Sequence, residues 1–236
     1  MPTPPEKPSL RLFCIPYAGG SSYVYRGWQR AFPAGIDVCP IELPGRGTRI
    51  RDPLPTDLDA LVDDILATMD DRLDGPFALF GHSFGAALAF EAATRLEATG
   101  RPPAHLAVAA YRAPSSAPVT DSDARLPDAQ FREVLRKMGG TPAELLDDDA
   151  FMEMAMPVIR ADMLLADAYG DRTPPPLSCP VSTHGGADDW FTQADLKAWS
   201  RHAGGRFAMH EYPGGHFFLQ THEAELQRAL RSELHP

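Results

Sequence analysis

The sequence predicts an α/β fold with a mainly parallel sheet and helices on both of its faces. Short apolar runs typical of buried strands alternate with segments whose apolar residues recur at helical spacing, and glycine-bearing turns join them. A chain of 236 residues is long enough for one such domain with a full hydrophobic core. We therefore expect a single domain over residues 1–236.

The predicted strands and helices alternate along most of the chain. Strands are predicted at 10–15, 37–41, 77–80, 106–110, 181–184 and 207–212. Helices are predicted at 58–73 and 86–96. Because parallel strands need crossover connections, this alternation favours a parallel sheet.

The alternation breaks between residues 119 and 172, where the pattern is helical and polar. Helices are predicted at 128–138 and 149–168, and the second is rich in methionine and leucine. A proline-rich run at 173–177 closes this stretch as a stiff return to the sheet. We interpret 119–172 as a helical cap inserted into the sheet domain.

Composition excludes several classes of protein. The net charge of −10 argues against nucleic acid as a ligand, because phosphate binding requires a basic surface. No segment approaches the roughly 20 apolar residues of a membrane-spanning helix. Residues 1–8 lack the layout of a signal peptide and are interpreted as a flexible lead-in. The three cysteines form an odd count without CxxC spacing, which does not indicate a disulfide framework. Together these features favour a cytoplasmic protein.

The turn after the third predicted strand carries a Gly-x-Ser-x-Gly motif, in the residues Gly81-His82-Ser83-Phe84-Gly85. The motif alone is weak, because it arises by chance in roughly one chain in ten of this length. Here it follows a strand and opens a helix of small residues, which is the strand–turn–helix of a nucleophile elbow. We therefore predict an α/β-hydrolase fold with Ser83 as nucleophile. The alternative is a glycine-rich turn in which Ser83 caps the helix.

The base that activates Ser83 must be one of eight histidines. In this fold the base lies in a loop after the last strand. His216 fits, because it follows the strand at 207–212 and a Pro-Gly-Gly turn. Several other histidines fit less well, since they lie beside Ser83 on a turn that points them away, within a strand or on predicted helices (His82, His184, His202, His222, His235).

The acid of the triad should follow the strand at 181–184, where two neighbouring aspartates compete. Gly186-x-x-Asp189 matches a spacing common in hydrolases of this fold, which favours Asp189. Asp188 remains the alternative. The oxyanion needs preformed donors, each worth roughly 3 kcal/mol of barrier. We expect these to be the backbone N–H groups of Phe84 and Ala18, with Tyr17 in reserve for Ala18.

Together these residues resemble the type II thioesterases of polyketide and nonribosomal peptide synthesis, which are stand-alone enzymes of the α/β-hydrolase fold. The resemblance covers nearly the whole chain and rests on runs at 12–20, 43–47, 80–85, 138–142, 160–162 and 213–218. Position by position, the family's triad falls on Ser83, Asp189 and His216, and its oxyanion amides fall on Ala18 and Phe84.

The sequence departs from the family's usual residues at three positions near this site. Tyr17 stands where histidine is frequent, and Phe84 stands where methionine is frequent. Trp190 stands where proline often follows the aspartate. Tyr17 and Phe84 border the expected pocket, so these two departures bear on acyl preference.

The resemblance implies hydrolysis of an acyl thioester on the phosphopantetheine arm of an acyl or peptidyl carrier protein. It implies no cofactor beyond that arm, and no metal site is persuasive in the sequence. The cap would cover the pocket, where Tyr17 and apolar cap residues would meet the acyl chain (Met152, Met156, Leu164, Leu165). For each cap residue, packing on the sheet domain is the alternative.

The partners and alternatives follow from the same reasoning. We expect a monomer that binds neither nucleic acid nor membrane. Several arginines would suit an acidic carrier protein, with solvated surface as the alternative for each (Arg46, Arg49, Arg51, Arg132, Arg136). A general carboxylesterase or acyltransferase, or an inactive hydrolase-fold binding module, would share the same fold.

Overall fold

A six-stranded parallel sheet forms the centre of the molecule, which a computed structural model describes over residues 8–234. The strands are β1 (Leu10–Ile15), β2 (Ile36–Pro40), β3 (Phe77–His82), β4 (His105–Ala109), β5 (Val181–Gly186) and β6 (Phe207–Tyr212). Their order across the sheet is β2-β1-β3-β4-β5-β6, and every neighbouring pair is parallel. The predicted fold class is confirmed. The predicted lead-in up to residue 7 and His235 lie outside the described residues.

Helices and short 3₁₀ turns connect the strands. The helices are α1 (Leu58–Asp70), α2 (Phe84–Ala98), α3 (Asp128–Met138), α4 (Ala143–Leu146), α5 (Asp149–Ala168), α6 (Gln193–Ala198), α7 (Phe218–Thr221) and α8 (Glu223–Leu234). Several begin at a side chain that accepts a backbone N–H of the first turn: Asp57 caps α1 and Asp148 caps α5. These caps stabilise amides that have no partner within the helix.

The two faces of the sheet are covered by different elements because successive strand residues point to opposite sides. Phe13 and Ile15 of β1 pack with α1 and α2. Leu12 and Cys14 of the same strand pack with α8 and the 3₁₀ turns around Trp28. The sheet is therefore buried on both faces, as expected for parallel strands.

Strands β3 and β5 are each two residues longer than the sequence predicts. The added residues include glycines that were interpreted as turns, but they still pair with the neighbouring strand, as Gly81 does with Val108 and Gly186 with Tyr212. A side chain on Gly81 would collide with the Gly85 carbonyl oxygen at 2.0 Å. These glycines therefore permit close packing at the carboxyl edge of the sheet.

The segment 119–172 holds α3, α4 and α5 between β4 and β5. The two long helices have the predicted bounds. The segment has its own apolar cluster, which includes Phe131, Leu135, Leu146, Met152 and Met156. It also packs on the rest of the molecule, since Ile159 of α5 lies against Gly19 and the loop at Gly140 lies against Phe217. Gly19 and Phe217 are each next to a predicted site residue, namely Ala18 and His216.

Candidate active site

Ser83 lies in a strained turn between β3 and α2. Its φ and ψ are 53° and −123°, a backbone conformation that residues other than glycine rarely adopt. A β-carbon on Gly85 would lie 2.3 Å from the Ile15 carbonyl oxygen, so the turn requires glycine there. The Ser83 side chain makes no capping bond to α2 and instead contacts His216. The turn therefore presents the hydroxyl away from the helix.

His216 connects Ser83 to Asp189. Its Nδ1 lies 3.1 Å from both carboxylate oxygens of Asp189, and its Nε2 lies 2.9 Å from the Ser83 Oγ. Because a carboxylate can only accept, Nδ1 carries the proton, and Nε2 is left to accept from the hydroxyl. The His216 and Asp189 side chains are 2% and 1% exposed. The arrangement is that of a serine hydrolase triad.

The neighbouring aspartate, Asp188, has a different place in the structure. Its backbone N–H donates to the Gly214 carbonyl oxygen at 2.9 Å and so joins the loop after β5 to the loop that carries His216. The Phe191 N–H donates to the Asp189 carboxylate at 3.3 Å. Of the two aspartates that the sequence offered, Asp189 is the one in contact with His216.

The two backbone amides predicted to bind the oxyanion have no hydrogen-bond acceptor among the described residues. Within residues 8–234, neither the Ala18 nor the Phe84 N–H donates a hydrogen bond. Phe84 is the first residue of α2, where amides have no helical acceptor and the helix dipole favours negative charge. Ala18 lies in the loop after β1 and lines the same cavity as Ser83. Both groups are free to bind an oxyanion.

A buried ion pair holds the loop that carries Ala18. Asp162 of α5 and Arg46 form a two-pronged pair, of which the Nη2–Oδ1 contact measures 3.0 Å, with side chains 3% and 5% exposed. Asp162 also accepts the Gly19 N–H at 2.8 Å. The pair therefore connects α5 to the residue next to Ala18.

His82 fixes the backbone of the loop that carries His216. Its Nε2 donates to the His216 carbonyl oxygen at 2.9 Å. Burial, with a smaller contribution from His216, lowers the pKa of His82 well below its usual range. His82 is therefore a neutral donor near pH 7 that contacts the His216 backbone.

Aromatic rings surround the His216 imidazole. Trp190 stacks on it with ring centres 4.0 Å apart and an angle of 17° between the planes. Phe217 lies edge-on at 5.1 Å, and Phe191 is tilted at 5.9 Å. Tyr17 packs in turn on Phe217 at 5.0 Å. The imidazole therefore lies among apolar rings and meets polar atoms at Ser83 and Asp189.

A cavity of about 1010 Å³ extends from Ser83 and His216 between the sheet domain and the segment 119–172. Its wall includes Tyr17, Ala18 and Trp190. Residues of α5 also line it, all but the last spaced four apart (Phe151, Ala155, Ile159, Met163, Ala166). A mostly apolar cavity of this size can hold an acyl chain beside the serine.

A family model described as "Thioesterase domain" matches residues 10–234. The chain belongs to the thioesterase family. It is a thioester hydrolase, as the sequence predicted. No group of three or more His, Cys, Asp or Glu side chains placed to hold a metal occurs within residues 8–234. In the same part of the chain, no helix is long and apolar enough to cross a membrane.

Relatives and solved structures support the same assignment. The thioesterase is 36% identical to the gramicidin S biosynthesis protein GrsT of Aneurinibacillus migulanus over 95% of this chain and 89% of that protein. It superposes on the RedJ thioesterase of the prodiginine pathway in Streptomyces coelicolor with a TM-score of 0.89 at 36% identity, covering 99% of this chain and 91% of RedJ. The type II thioesterase BorB from the borrelidin biosynthetic cluster gives 0.89 at 34% identity, covering 98% and 95%. The resemblance found in the sequence is confirmed.

The predicted pocket residues of this thioesterase need correction. Tyr17 lines the cavity, but four cap residues do not (Met152, Met156, Leu164, Leu165). Met152 and Met156 are buried in the cluster within the segment 119–172, and Leu164 packs against it. Leu165 packs on the core between the sheet and α1 and α2. Packing, the alternative considered for each, accounts for all four.

The arginines suggested for carrier-protein contact are largely paired within the chain. Arg46 is buried with Asp162 and is not on the surface. Arg49 contacts Asp64 at 2.6 Å, and Arg132 contacts Asp149 at 2.8 Å. Sequence reasoning also missed the contributions of Asp162, His82 and Trp190. The signals were slight: Asp162 falls in a family-like run, and the other two adjoin triad residues.

Proposed function

We propose that this thioesterase hydrolyses acyl thioesters on the phosphopantetheine arm of an acyl or peptidyl carrier protein, with Ser83, His216 and Asp189 as its triad. The observation that carries the proposal is the hydrogen-bonded series from Asp189 through His216 to Ser83, beside an apolar cavity in a chain of the thioesterase family. Similarity to a type II thioesterase, BorB, supports a carrier-bound substrate.

Acylation begins when the Ser83 oxygen attacks the thioester carbon and its proton passes to His216 Nε2. Asp189 stabilises the imidazolium that forms. The carbonyl electrons move to the oxygen, and the resulting oxyanion accepts from the Ala18 and Phe84 amides. When the C–S bond breaks, His216 returns the proton to the departing thiol. Thiolate leaves readily because a thiol has a pKa of about 8.5.

Deacylation repeats the sequence with water as the nucleophile. His216 takes a proton from water, the hydroxide adds to the Ser83 ester, and the proton then passes to Ser83 as the free acid departs. We infer that the segment 119–172 acts as a cap that shields this step and the acyl chain from bulk solvent. Ile159 and Met163, which line the cavity, would meet the acyl chain in place of the methionines and leucines first predicted.

We further propose a location and a set of partners for the enzyme. The enzyme acts as a cytoplasmic monomer and uses no cofactor other than the phosphopantetheine arm of its substrate. It binds neither nucleic acid nor membrane, in keeping with a net charge of −10. An acidic enzyme does not attract an acidic carrier protein by net charge, so apolar contacts at the mouth of the cavity carry the recognition. Tyr23, 66% exposed and lining the cavity, suits that role.

A substrate panel tests the proposal against the esterase and acyltransferase alternatives. One acyl group is offered as carrier-bound thioester, as free pantetheine thioester and as oxygen ester, with chain length varied in each series. We expect kcat/KM to be highest for the carrier-bound thioester and to vary with chain length, and Ser83→Ala to remove all three activities. Oxygen esters cleaved as fast as carrier thioesters would refute it, and so would transfer to an added alcohol in place of hydrolysis.

A further inference from the structure

Trp190 lies directly against the imidazole of His216. It follows Asp189 directly in the chain, and its indole lies parallel to the His216 ring at a centre-to-centre distance of 4.0 Å. The rings are in van der Waals contact over one face of the imidazole. The rings of Phe217 and Phe191 lie farther away, with ring centres 5.1 and 5.9 Å from that of His216.

The stack is not explained by the needs of the hydrophobic core. Trp190 is 50% exposed, whereas Trp28 and Trp199 are fully buried. A large apolar ring half in water contributes less to stability than one in the core. The closest ring contact of Trp190 is with the His216 imidazole, which must hold and release a proton, whereas Phe191 lies 6.1 Å away. Its position therefore suggests a role in the reaction.

We propose that Trp190 is a positioning residue of this thioesterase, which holds the His216 imidazole between Asp189 and Ser83 and stabilises the imidazolium formed during turnover. The inference rests on the proposed triad. A ring that is clamped on its face cannot swing out of the plane shared by Asp189 and Ser83. A cation above an indole face is attracted by the ring quadrupole, and tryptophan is the most effective aromatic residue in this respect.

The stabilisation appears only when His216 is charged. The neutral imidazole gains little from the ring quadrupole, whereas the imidazolium gains a cation–π attraction worth about two- to thirty-fold in an equilibrium or rate. Interactions that strengthen towards the transition state accelerate the chemical step. Removal of the indole should therefore lower kcat more than it raises KM.

Three polar groups face the His216 ring. They are the Asp189 carboxylate, the Ser83 hydroxyl and the His82 ring at 5.3 Å. His82 stays neutral near pH 7 because burial lowers its pKa. A pH-dependent change in Trp190 emission that is lost together with the His216 ring is therefore assigned to His216.

Fluorescence tests the stack without any substrate. A protonated imidazole in contact with an indole quenches its emission, so the difference spectrum between wild type and Trp190→Phe should dim on acidification, when His216 becomes protonated. His216→Ala should abolish this pH-dependent step. An emission from Trp190 that does not change with pH, or that changes equally without His216, would overturn the stack. This outcome is independent of whether the proposed substrate is correct.

Kinetics test the role on a carrier-bound thioester that wild type hydrolyses. We expect Trp190→Ala to lose about two- to thirty-fold in kcat, and Trp190→Phe to retain most of it. The acid limb of the kcat/KM profile should move to lower pH in Trp190→Ala, because the imidazolium has lost a stabilising contact. Met209→Ala, which removes a side chain of similar exposure outside the cavity, should change neither.

Two kinetic results would overturn the inference. One is a Trp190→Ala enzyme with unaltered kcat. The other is an acid limb that stays in place or moves to higher pH. Thermal unfolding of each variant accompanies these measurements, and the half-exposed position of Trp190 predicts a small change in midpoint. If wild type itself fails to hydrolyse the thioester, the proposed function fails, while the fluorescence result still decides whether Trp190 contacts the titrating ring.

Discussion

Ser83 shows how the fold supports a costly local conformation. A non-glycine residue with φ of 53° stores about 1–3 kcal/mol of strain. Its N–H donates to the Ala109 carbonyl oxygen at 2.8 Å, which fixes the turn to β4. Gly85 lets α2 approach β1 closely. The strain is therefore maintained by contacts on both sides of the turn, and the hydroxyl is held 2.9 Å from His216.

Gly85→Ala tests this arrangement. The new methyl group would lie 2.3 Å from the Ile15 carbonyl oxygen and 2.6 Å from that of Pro16, so the loop that leads to Ala18 must move. We expect a loss of about 1–3 kcal/mol in the free energy of unfolding and a fall in kcat well beyond that of the control. Gly75→Ala is the matched control, because a β-carbon there meets nothing within 4 Å. Wild-type turnover by Gly85→Ala would contradict the account.

A single functional residue could be identified from the sequence where a motif also specifies the conformation of the backbone around it. Ser83 was predictable because Gly-x-Ser-x-Gly between a strand and a helix describes the turn itself. His216 followed from the order of the triad along the chain. Asp188 and Asp189 could be ranked but not separated, because both follow β5, and their directions depend on the bond from Asp188 to Gly214 in another loop.

At the scale of elements, α5 connects the segment 119–172 to the site. One apolar face of the helix meets two neighbours: Met152 and Met156 are buried in the cluster of that segment, whereas Ile159 and Met163, which contact the same cluster, also line the cavity. Amphipathic spacing predicts that a helix is buried on an apolar face. It does not predict which residues of that face also reach the cavity. The pocket prediction failed for this reason.

The Asp162 ion pair on α5 should matter for both stability and turnover. In Asp162→Ala, Arg46 is left charged and buried, and the Gly19 N–H loses its acceptor. We expect the free energy of unfolding to fall by about 3–5 kcal/mol, with a loss of kcat because the loop that holds Ala18 is no longer fixed. Urea unfolding and steady-state kinetics measure the two effects.

A double variant separates the two consequences. Arg46→Met with Asp162→Leu removes both charges and fills the space, and such exchanges are often neutral or stabilising. We expect its stability to recover while kcat stays low, since Gly19 still lacks its acceptor. If kcat returns to the wild-type value with stability, Asp162 has no effect on the loop beyond folding.

The whole molecule contains buried histidines that make its stability depend on pH. Burial lowers the pKa of His82, His184 and His202 below the value near 6.5 of an exposed histidine. As the pH falls below about 6.5, the unfolded chain binds protons that the folded chain does not. The free energy of unfolding therefore decreases on acidification, by up to about 1.4 kcal/mol per pH unit for each histidine.

His202→Leu tests this linkage. His202 packs edge-on against Phe90 and Trp199, and neither of its ring nitrogens has a hydrogen-bond partner within residues 8–234. Leucine cannot be protonated and removes an unsatisfied polar group. Between pH 7.5 and 5.5 we expect the variant to lose less stability than wild type in urea unfolding, because the lowered pKa of His202 no longer contributes. Equal losses in the two proteins would mean that folding does not lower the pKa of His202, which would contradict the prediction.

The architecture of the whole molecule was the most predictable level. Every one of the six strands overlaps its predicted range, because buried parallel strands are short apolar runs separated by helices. The free amides of Ala18 and Phe84 could be predicted from the fold. The contact of Trp190 with His216 could not, because it depends on how the loop after β5 folds back over the loop after β6.

The central claim is that Ser83 carries the acyl group during turnover. Mass spectrometry of the protein, quenched within milliseconds of mixing with acyl-loaded carrier protein, measures this directly. The account predicts an adduct with the mass of the acyl group on the peptide that contains Ser83, which decays as free acid appears. Ser83→Ala should show no adduct and a fall in kcat of at least about 10³-fold. An adduct on another residue, or hydrolysis that persists in Ser83→Ala, would contradict the claim.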